Sequence, residues 1–210
     1  MPASAPAVID IAPLLQYLDF AGVAVFALSG AVVAAVKRQT LVTFIFFAAV
    51  TAVGGGTVRD LLIGAPVFWV AENATLLICI AAALTVWFTP SRLWDGQALV
   101  WLDAAGMAAY ATFGVAKAIA HGVAPLPAFA LGVISACVGG IVRDLLAGEA
   151  SILMRPELYV TAAALSAALM VGLLALGLVP PLAGGLAALA GFALRGLAIR
   201  QGWGLPAYGR

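Results

Sequence analysis

Seven apolar stretches, each long enough to cross a bilayer, dominate this sequence and leave only short connections between them. They run over 17–36, 41–63, 70–89, 98–119, 125–147, 157–178 and 180–200. A helix needs about 20 mostly apolar residues to cross about 30 Å of hydrocarbon, and in lipid the backbone must satisfy its own polar groups. Composition agrees: 65% of the residues are hydrophobic and 9% are charged, against roughly 25% charged in a soluble domain, and the mean hydropathy is +1.15. The expected fold class is an all-α integral membrane protein with seven transmembrane helices, one membrane domain over 1–210. The first ten residues hold no Lys or Arg, so they lack the basic start of a cleaved signal peptide, and the first span is expected to stay.

Against that apolar background one stretch stands out. "GGGTVRDLLIG" at 54–64 sets Arg59 and Asp60 inside a span, and "VGGIVRDLLAG" at 138–148 repeats it 84 positions later. The whole block 18–64 aligns with 102–148 without a gap, with 17 identities in 47 positions, so that Asp19 meets Asp103 and Gly30 meets Gly114. Each copy carries three spans, and an odd number forces the second copy to enter the membrane from the opposite side. The expected organisation is therefore two inverted three-helix repeats, about 17–89 and 98–178, plus an extra helix over 180–200. In such proteins transport sites form near the midplane, where discontinuous helices meet. In the extra helix, Ala183, Ala187 and Gly191 recur at a spacing suited to close packing.

Glycine costs about 1 kcal/mol in a helix interior relative to Ala. The run Gly54, Gly55, Gly56, matched by Gly139 and Gly140, predicts a break or sharp kink in the second and fifth spans. Backbone groups released there are tolerated only against protein or a water-filled cavity. Close helix packing is the competing reading. Two matched breaks, each followed three residues later by Arg-Asp, favour a pathway.

An Arg or Asp at mid-helix costs about 2.5–3.5 kcal/mol on insertion scales and usually finds a partner. Arg59, Asp60, Arg143 and Asp144 therefore need neighbours. Adjacent helical residues point about 100° apart, so Arg59 and Asp60 are not expected to pair along one face. Depth along the spans assigns Asp19 to Arg59 and Asp103 to Arg143. Lys117 reads as a supporting charge that snorkels near a span end. Cys79 and Cys137 fall inside spans without ligand spacing, and His121 falls in a loop, so no metal site or cofactor is expected.

Basic residues settle an expected orientation under the positive-inside rule. Lys37, Arg38, Arg92, Arg155, Arg195, Arg200 and Arg210 all fall at span ends on one face. The N-terminus is expected outside and the C-terminus in the cytoplasm, in a bacterial inner membrane.

Two resemblances follow from these residues. Gly-Gly-x-Val-Arg-Asp is similar to a motif of soluble nucleotidyltransferases of the tRNA-CCA-adding type. Those enzymes hold metal on paired carboxylates, and no Asp-x-Asp or Glu-x-Asp follows either copy here, which argues against an enzyme and a nucleic-acid partner. Seven spans, the inverted repeat, "GGGTVRD", "GGIVRD" and a basic C-terminal end together resemble the prokaryotic relatives of the trimeric intracellular cation (TRIC) channels, over nearly the whole chain.

That resemblance implies a homotrimer whose subunits each have a pore, bounded by glycine-broken second and fifth helices and passing monovalent cations, mainly K⁺. Bacterial members are also labelled glycine transporters, so a carrier of glycine or another small amino acid is the alternative. Eukaryotic members carry a Lys-Glu-Val motif and a phosphoinositide site; membrane lipid is expected as a partner here, but the sequence has no Lys-Glu-Val. The expected ion pathway comprises Gly54, Gly55, Gly56, Thr57, Arg59, Asp60, Gly139, Gly140, Arg143 and Asp144. Released carbonyls and the hydroxyls of Ser29, Thr51, Thr57 and Ser135 are expected to replace ion hydration. Asp19, Asp103 and Lys117 serve as supporting charges.

Overall fold

The computed structural model describes residues 12–94, 96–206, 208 and 209. The N-terminal tail and Arg210, both used in the orientation argument, lie outside the described residues. In chain order the helices are α1 (Ala12–Val36), α2 (Leu41–Leu62), α3 (Phe68–Ala71), α4 (Asn73–Phe88), α5 (Gly96–Ala120), α6 (Pro125–Leu146), α7 (Val160–Ala175) and α8 (Pro180–Gln201). Single 3₁₀ turns lie at Ser91–Leu93 and Ile152–Met154.

Helix ends follow local chemistry. The Thr40 side chain caps α2 by accepting from the Thr43 N–H, and prolines open α6 and α8, where their missing N–H costs nothing. Gly64 and Gly148, at matched positions after α2 and α6, take φ of +67° and +69°, which a residue with a Cβ rarely adopts.

Five helices have the length and apolarity to cross a membrane: α1, α2, α5, α6 and α8. The other two, α4 and α7, have 16 residues each, about 24 Å at 1.5 Å per residue. The expected spans 70–89 and 157–178 are thus shortened. Extended backbone at Glu72 separates α3 from α4, and the chain before Val160 is irregular.

Packing repeats with the 84-residue offset. α1 lies on α2 and α4, α5 lies on α6 and α7, and the two sets meet through α1 on α5 and α2 on α6. Gly22 abuts the Tyr110 ring and Gly106 abuts the Phe26 ring, and those rings meet edge to face at 5.3 Å. α8 packs on α5 and α7. There Ala183, Ala187 and Gly191 are buried, as the small-residue spacing predicts. Val42, Phe88 and Leu126 stand exposed on the outside, as a lipid-facing surface requires.

The expected glycine breaks do not occur. α2 is helical from Leu41 to Leu62 and α6 from Pro125 to Leu146, straight through both glycine runs. The glycines instead let the two helices touch. A Cβ on Gly55 would overlap the Ser135 carbonyl and one on Gly139 would overlap the Thr51 carbonyl, while Gly54 lies against the Gly139 backbone. Gly30 likewise admits the Phe47 carbonyl. Close backbone approach, not helix breakage, is what these glycines provide.

Lys37 forms an ion pair with Glu149 and ties the end of α1 to the turn after α6. The hydrogen bond and charge of Lys37 hold the exposed Glu149 carboxyl below the usual carboxylate range. This end of the bundle also carries exposed Arg38, Arg92, Arg155 and Arg200; it is called the basic end below.

Candidate functional site

Two buried charge clusters sit at opposite ends of the α2–α6 crossing. The cluster away from the basic end centres on Arg59, which is 0% exposed. Its Nε donates to Asp60 Oδ1 at 2.9 Å, and its Nη2 lies 2.8 Å from the same oxygen. Lys117 reaches in from α5, its Nζ at 2.8 Å from Asp60 Oδ1 and 2.9 Å from Oδ2. Asp60 Oδ2 also accepts from the Phe68 backbone N–H at 3.1 Å, which staples the start of α3 to the end of α2. Aromatic faces cover the guanidinium: Phe113 at 5.1 Å and Phe68 at 6.0 Å from its Cζ. Asp19 and the Tyr110 hydroxyl lie beside this group and interact with Arg59 through the field. Arg59 Nη1 is buried without a hydrogen-bond partner, while the Asp19 carboxyl and the Tyr110 hydroxyl interact with each other.

The cluster at the basic end centres on Arg143, 2% exposed. Its Nε and Nη2 donate to Asp144 Oδ1 at 2.9 and 2.8 Å, and its Nη1 donates to Asp103 Oδ1 and to Ser29 Oγ, each at 2.5 Å. Asp144 Oδ2 accepts from the Ile152 N–H at 3.0 Å. The staple seen at Asp60 is therefore built again, each carboxylate holding the backbone eight residues on. Tyr159 donates to the Ala136 carbonyl at 3.3 Å and lies within the field of Asp103 and Arg143. Arg195 of α8 stands 5.6 Å from the Tyr159 ring centre and forms an ion pair with Glu157.

Several expectations are corrected by this geometry. Arg59 does pair with Asp60, and Arg143 with Asp144. The 100° rule governs Cβ directions, whereas the long Arg side chain curls along its helix to reach the neighbouring carboxylate. Asp103 meets Arg143 as expected, but among the described residues no ion pair joins Asp19 to Arg59. Lys117 does more than snorkel; with its side chain 19% exposed, it shares the Asp60 carboxylate.

With both helices intact, the glycine runs release no carbonyls. The hydroxyls mostly turn to protein: Ser135 donates to the Leu131 carbonyl at 2.7 Å and Ser29 bonds Arg143. Thr57 donates to the Val53 carbonyl at 2.7 Å while accepting from Trp69 Nε1 at 2.9 Å. Thr51 alone of the four keeps an unpartnered Oγ1, buried at the crossing.

Sequence reasoning missed Phe68, Phe113, Tyr110, Tyr159 and the Arg195–Glu157 pair. Arg195 carried a signal, since it lies inside the last apolar run rather than beyond it. The aromatic residues carried none.

Among the described residues no group of His, Cys, Asp and Glu is placed to hold a metal ion. Buried, mutually compensated charge gathered at two levels of one helix crossing, inside an apolar bundle, is that of a multi-pass membrane protein. The profile of a family described as "Glycine transporter" matches this chain twice, over 16–91 and 100–175. A UPF0126 membrane protein of Vibrio cholerae is 42% identical over 154 residues, which is 71% of this chain and 64% of the relative, just under two thirds of its length. The UPF0126 inner membrane protein YadS of Escherichia coli is 40% identical over 153 residues, 71% of this chain and 73% of the relative. The crystal structure of a TRIC trimeric intracellular cation channel orthologue from Rhodobacter sphaeroides matches with a TM-score of 0.84 and 40% identity, over 90% of this chain and 99% of that one. The chain belongs to this prokaryotic TRIC-type family, whose profile carries the glycine transporter description.

Proposed function

We propose that the protein is a monovalent cation channel, mainly for K⁺, that assembles as a homotrimer with one pathway in each subunit along the α2–α6 crossing. One observation carries the reading: two buried Arg-Asp clusters bracket a glycine crossing in a chain 40% identical to the crystallised TRIC orthologue. The charge count favours cations weakly. The Arg59 cluster sets Asp19 and Asp60 against Arg59 and Lys117, whereas the Arg143 cluster sets Asp103 and Asp144 against Arg143 alone. With both guanidiniums sealed from solvent, this conformation is a closed one, and conduction requires the clusters to part.

Carboxylates and the Thr51 hydroxyl are then the oxygens that meet the ion. Such a set, unlike a ring of carbonyls, gives modest discrimination between K⁺ and Na⁺. The two halves are read as inverted repeats, with the N-terminus outside and the basic end facing the cytoplasm and its anionic lipid.

A second reading has its own support. Arg59 Nη1, buried and unpartnered, and the Asp19 carboxyl beside it are what the carboxylate and ammonium of a glycine zwitterion would occupy in a carrier. Purified protein in a planar bilayer under a KCl gradient decides between them. Unitary currents reversing near the K⁺ potential are expected; silence there, with saturable glycine uptake into liposomes, would establish the carrier instead.

A further inference from the structure

The two charge clusters are built alike, and the one at the basic end is strapped by the chain that follows α8. After α8 ends, Gly202 takes φ of +66° and turns the chain back over the basic end. Gly204 then forms an antiparallel bridge with Glu157, and the Leu205 N–H donates to the Pro156 carbonyl at 2.8 Å. The approach needs glycine, since a Cβ on Gly204 would lie 2.6 Å from the Pro156 carbonyl oxygen. The segment so pinned is the one that closes the Arg143 cluster. Ile152 bonds Asp144, Glu157 pairs with Arg195, and Tyr159 runs inward to the Ala136 carbonyl.

We propose that α8 and its tail form a strap that holds the cluster at the basic end shut, with Arg195, Glu157 and Gly204 as positioning residues for the Arg143–Asp103 constriction. Arg195 acts through Glu157 and the Tyr159 ring, and Gly204–Leu205 acts through Pro156, so two independent tethers fix one short segment. This assignment rests on the reading that the Arg143 cluster lies on the ion pathway. The mechanical claim is tested without any ion flux.

The chain supplies its own reporters. Cys137 on α6 is buried within the field of Asp103 and Tyr159, and Cys79 on α4 is buried within the field of Tyr110, beside the other cluster. The experiment measures the labelling rate of each cysteine by a small aqueous thiol reagent, resolved by peptide mass spectrometry. The full chain in nanodiscs is compared with a chain ending at Gly202 and with Gly204→Val. Roughly tenfold faster labelling of Cys137 in both variants, with Cys79 unchanged, is expected, tenfold corresponding to about 1.4 kcal/mol of lost closing free energy. An unchanged Cys137 rate in either monodisperse variant overturns the strap, as does a parallel rise at both cysteines. Loss of the monodisperse peak in both variants also counts against it, because a local strap does not carry the fold. Labelling that behaves as expected in a protein without K⁺ currents keeps the strap and rejects the channel; currents with unchanged labelling do the reverse.

Discussion

The three consecutive glycines of α2 face three different neighbours, so replacing each by Ala separates packing from helix propensity. In a helix interior Ala is favoured over Gly by about 0.8–1.0 kcal/mol, and this gain applies equally at all three positions. The opposing cost differs. A Cβ on Gly54 would sit 3.4 Å from Gly139 Cα, an ordinary contact, so Gly54→Ala is expected to stabilise by up to about 1 kcal/mol. A Cβ on Gly56 would sit 2.6 Å from Phe68 Cε1, a ring that can tilt, so Gly56→Ala is expected near neutral or mildly destabilising. On Gly55 the Cβ meets the Ser135 carbonyl, with its carbon at 2.8 Å, and backbone yields only if the helices part. Overpacking of this kind costs about 1–3 kcal/mol, and separating α2 from α6 also loosens the reciprocal contact of Gly139 with Thr51. Gly55→Ala should therefore lose about 1–2 kcal/mol net, and Gly139→Ala should match it. The double variant should lose less than the sum, since the first substitution has already spread the helices. Unfolding in mixed micelles by an SDS titration measures the series. Equal losses at positions 54 and 55, or a full gain at 55, would refute the account of the crossing.

Other expectations follow from the charge clusters. Removing either member of the buried Asp103–Arg143 pair, by Asp103→Asn or Arg143→Gln, should cost about 3–5 kcal/mol with clear coupling between the two; the same cycle on Asp19 and Arg59, which form no ion pair, should show weaker coupling, and equal coupling in both contradicts the geometry. Asp60→Asn strands Arg59 and Lys117 together, and adding Lys117→Met should recover part of the lost stability in the same titration; no recovery means Lys117 does not lean on Asp60. Because Glu149 is held below the usual carboxylate range, the Lys37–Glu149 pair stabilises above the unfolded carboxylate pKa and loses that contribution as pH falls through the lower folded value. Thermal melts of Lys37→Ala against the parent should converge on acidification, and an unchanged difference at acid pH contradicts the linkage.

How far the sequence could be read depends on whether the deciding partner was local. The seven apolar runs were legible from hydropathy alone, although among the described residues five of them form helices long and apolar enough to cross and two form shorter ones. Their ends were less so: the span expected from Val70 is interrupted by extended backbone at Glu72, and the long helix begins only at Asn73. The glycines were legible as special but not as to purpose. A glycine run permits either a break or a close approach, and the choice lies in the Ser135 carbonyl opposite Gly55, on another helix. Asp103 with Arg143 could be paired by depth, because their helices are neighbours within the same half. Asp19 lies within the field of Arg59 but forms no ion pair with it, since the guanidinium turns to Asp60; two carboxylates competing for one guanidinium are not ranked by depth. Arg195 was counted among terminal basic residues because nothing in its own helix shows that Tyr159 and Glu157 stand beside it.

The clusters share a plan yet differ where the halves differ. Position for position under the 84-residue offset, Ser29 corresponds to Phe113 and Val33 to Lys117. At one end the Arg143 guanidinium receives a hydroxyl from α1; at the other, Arg59 receives an aromatic face from α5, and a second cation shares its carboxylate. Each Arg is thus completed by a helix from the other half, so neither half can build its cluster alone. The substitutions leave unequal bonding: Arg143 places its Nε and both Nη atoms on Asp144, Asp103 and Ser29, whereas Arg59 leaves Nη1 without a partner. Hydrogen bonds to charged groups contribute about 1.5–3 kcal/mol each; the Arg143 guanidinium makes four such contacts and the Arg59 guanidinium two, while Lys117 adds two more to Asp60. The Arg143 guanidinium is therefore the more fully bonded of the two, and it is at this end that the unduplicated helix adds Arg195. On the proposed pathway through both clusters, one firmly and one loosely held barrier keep the interior closed against a single fluctuation, because the end that opens easily leads only as far as the end that does not.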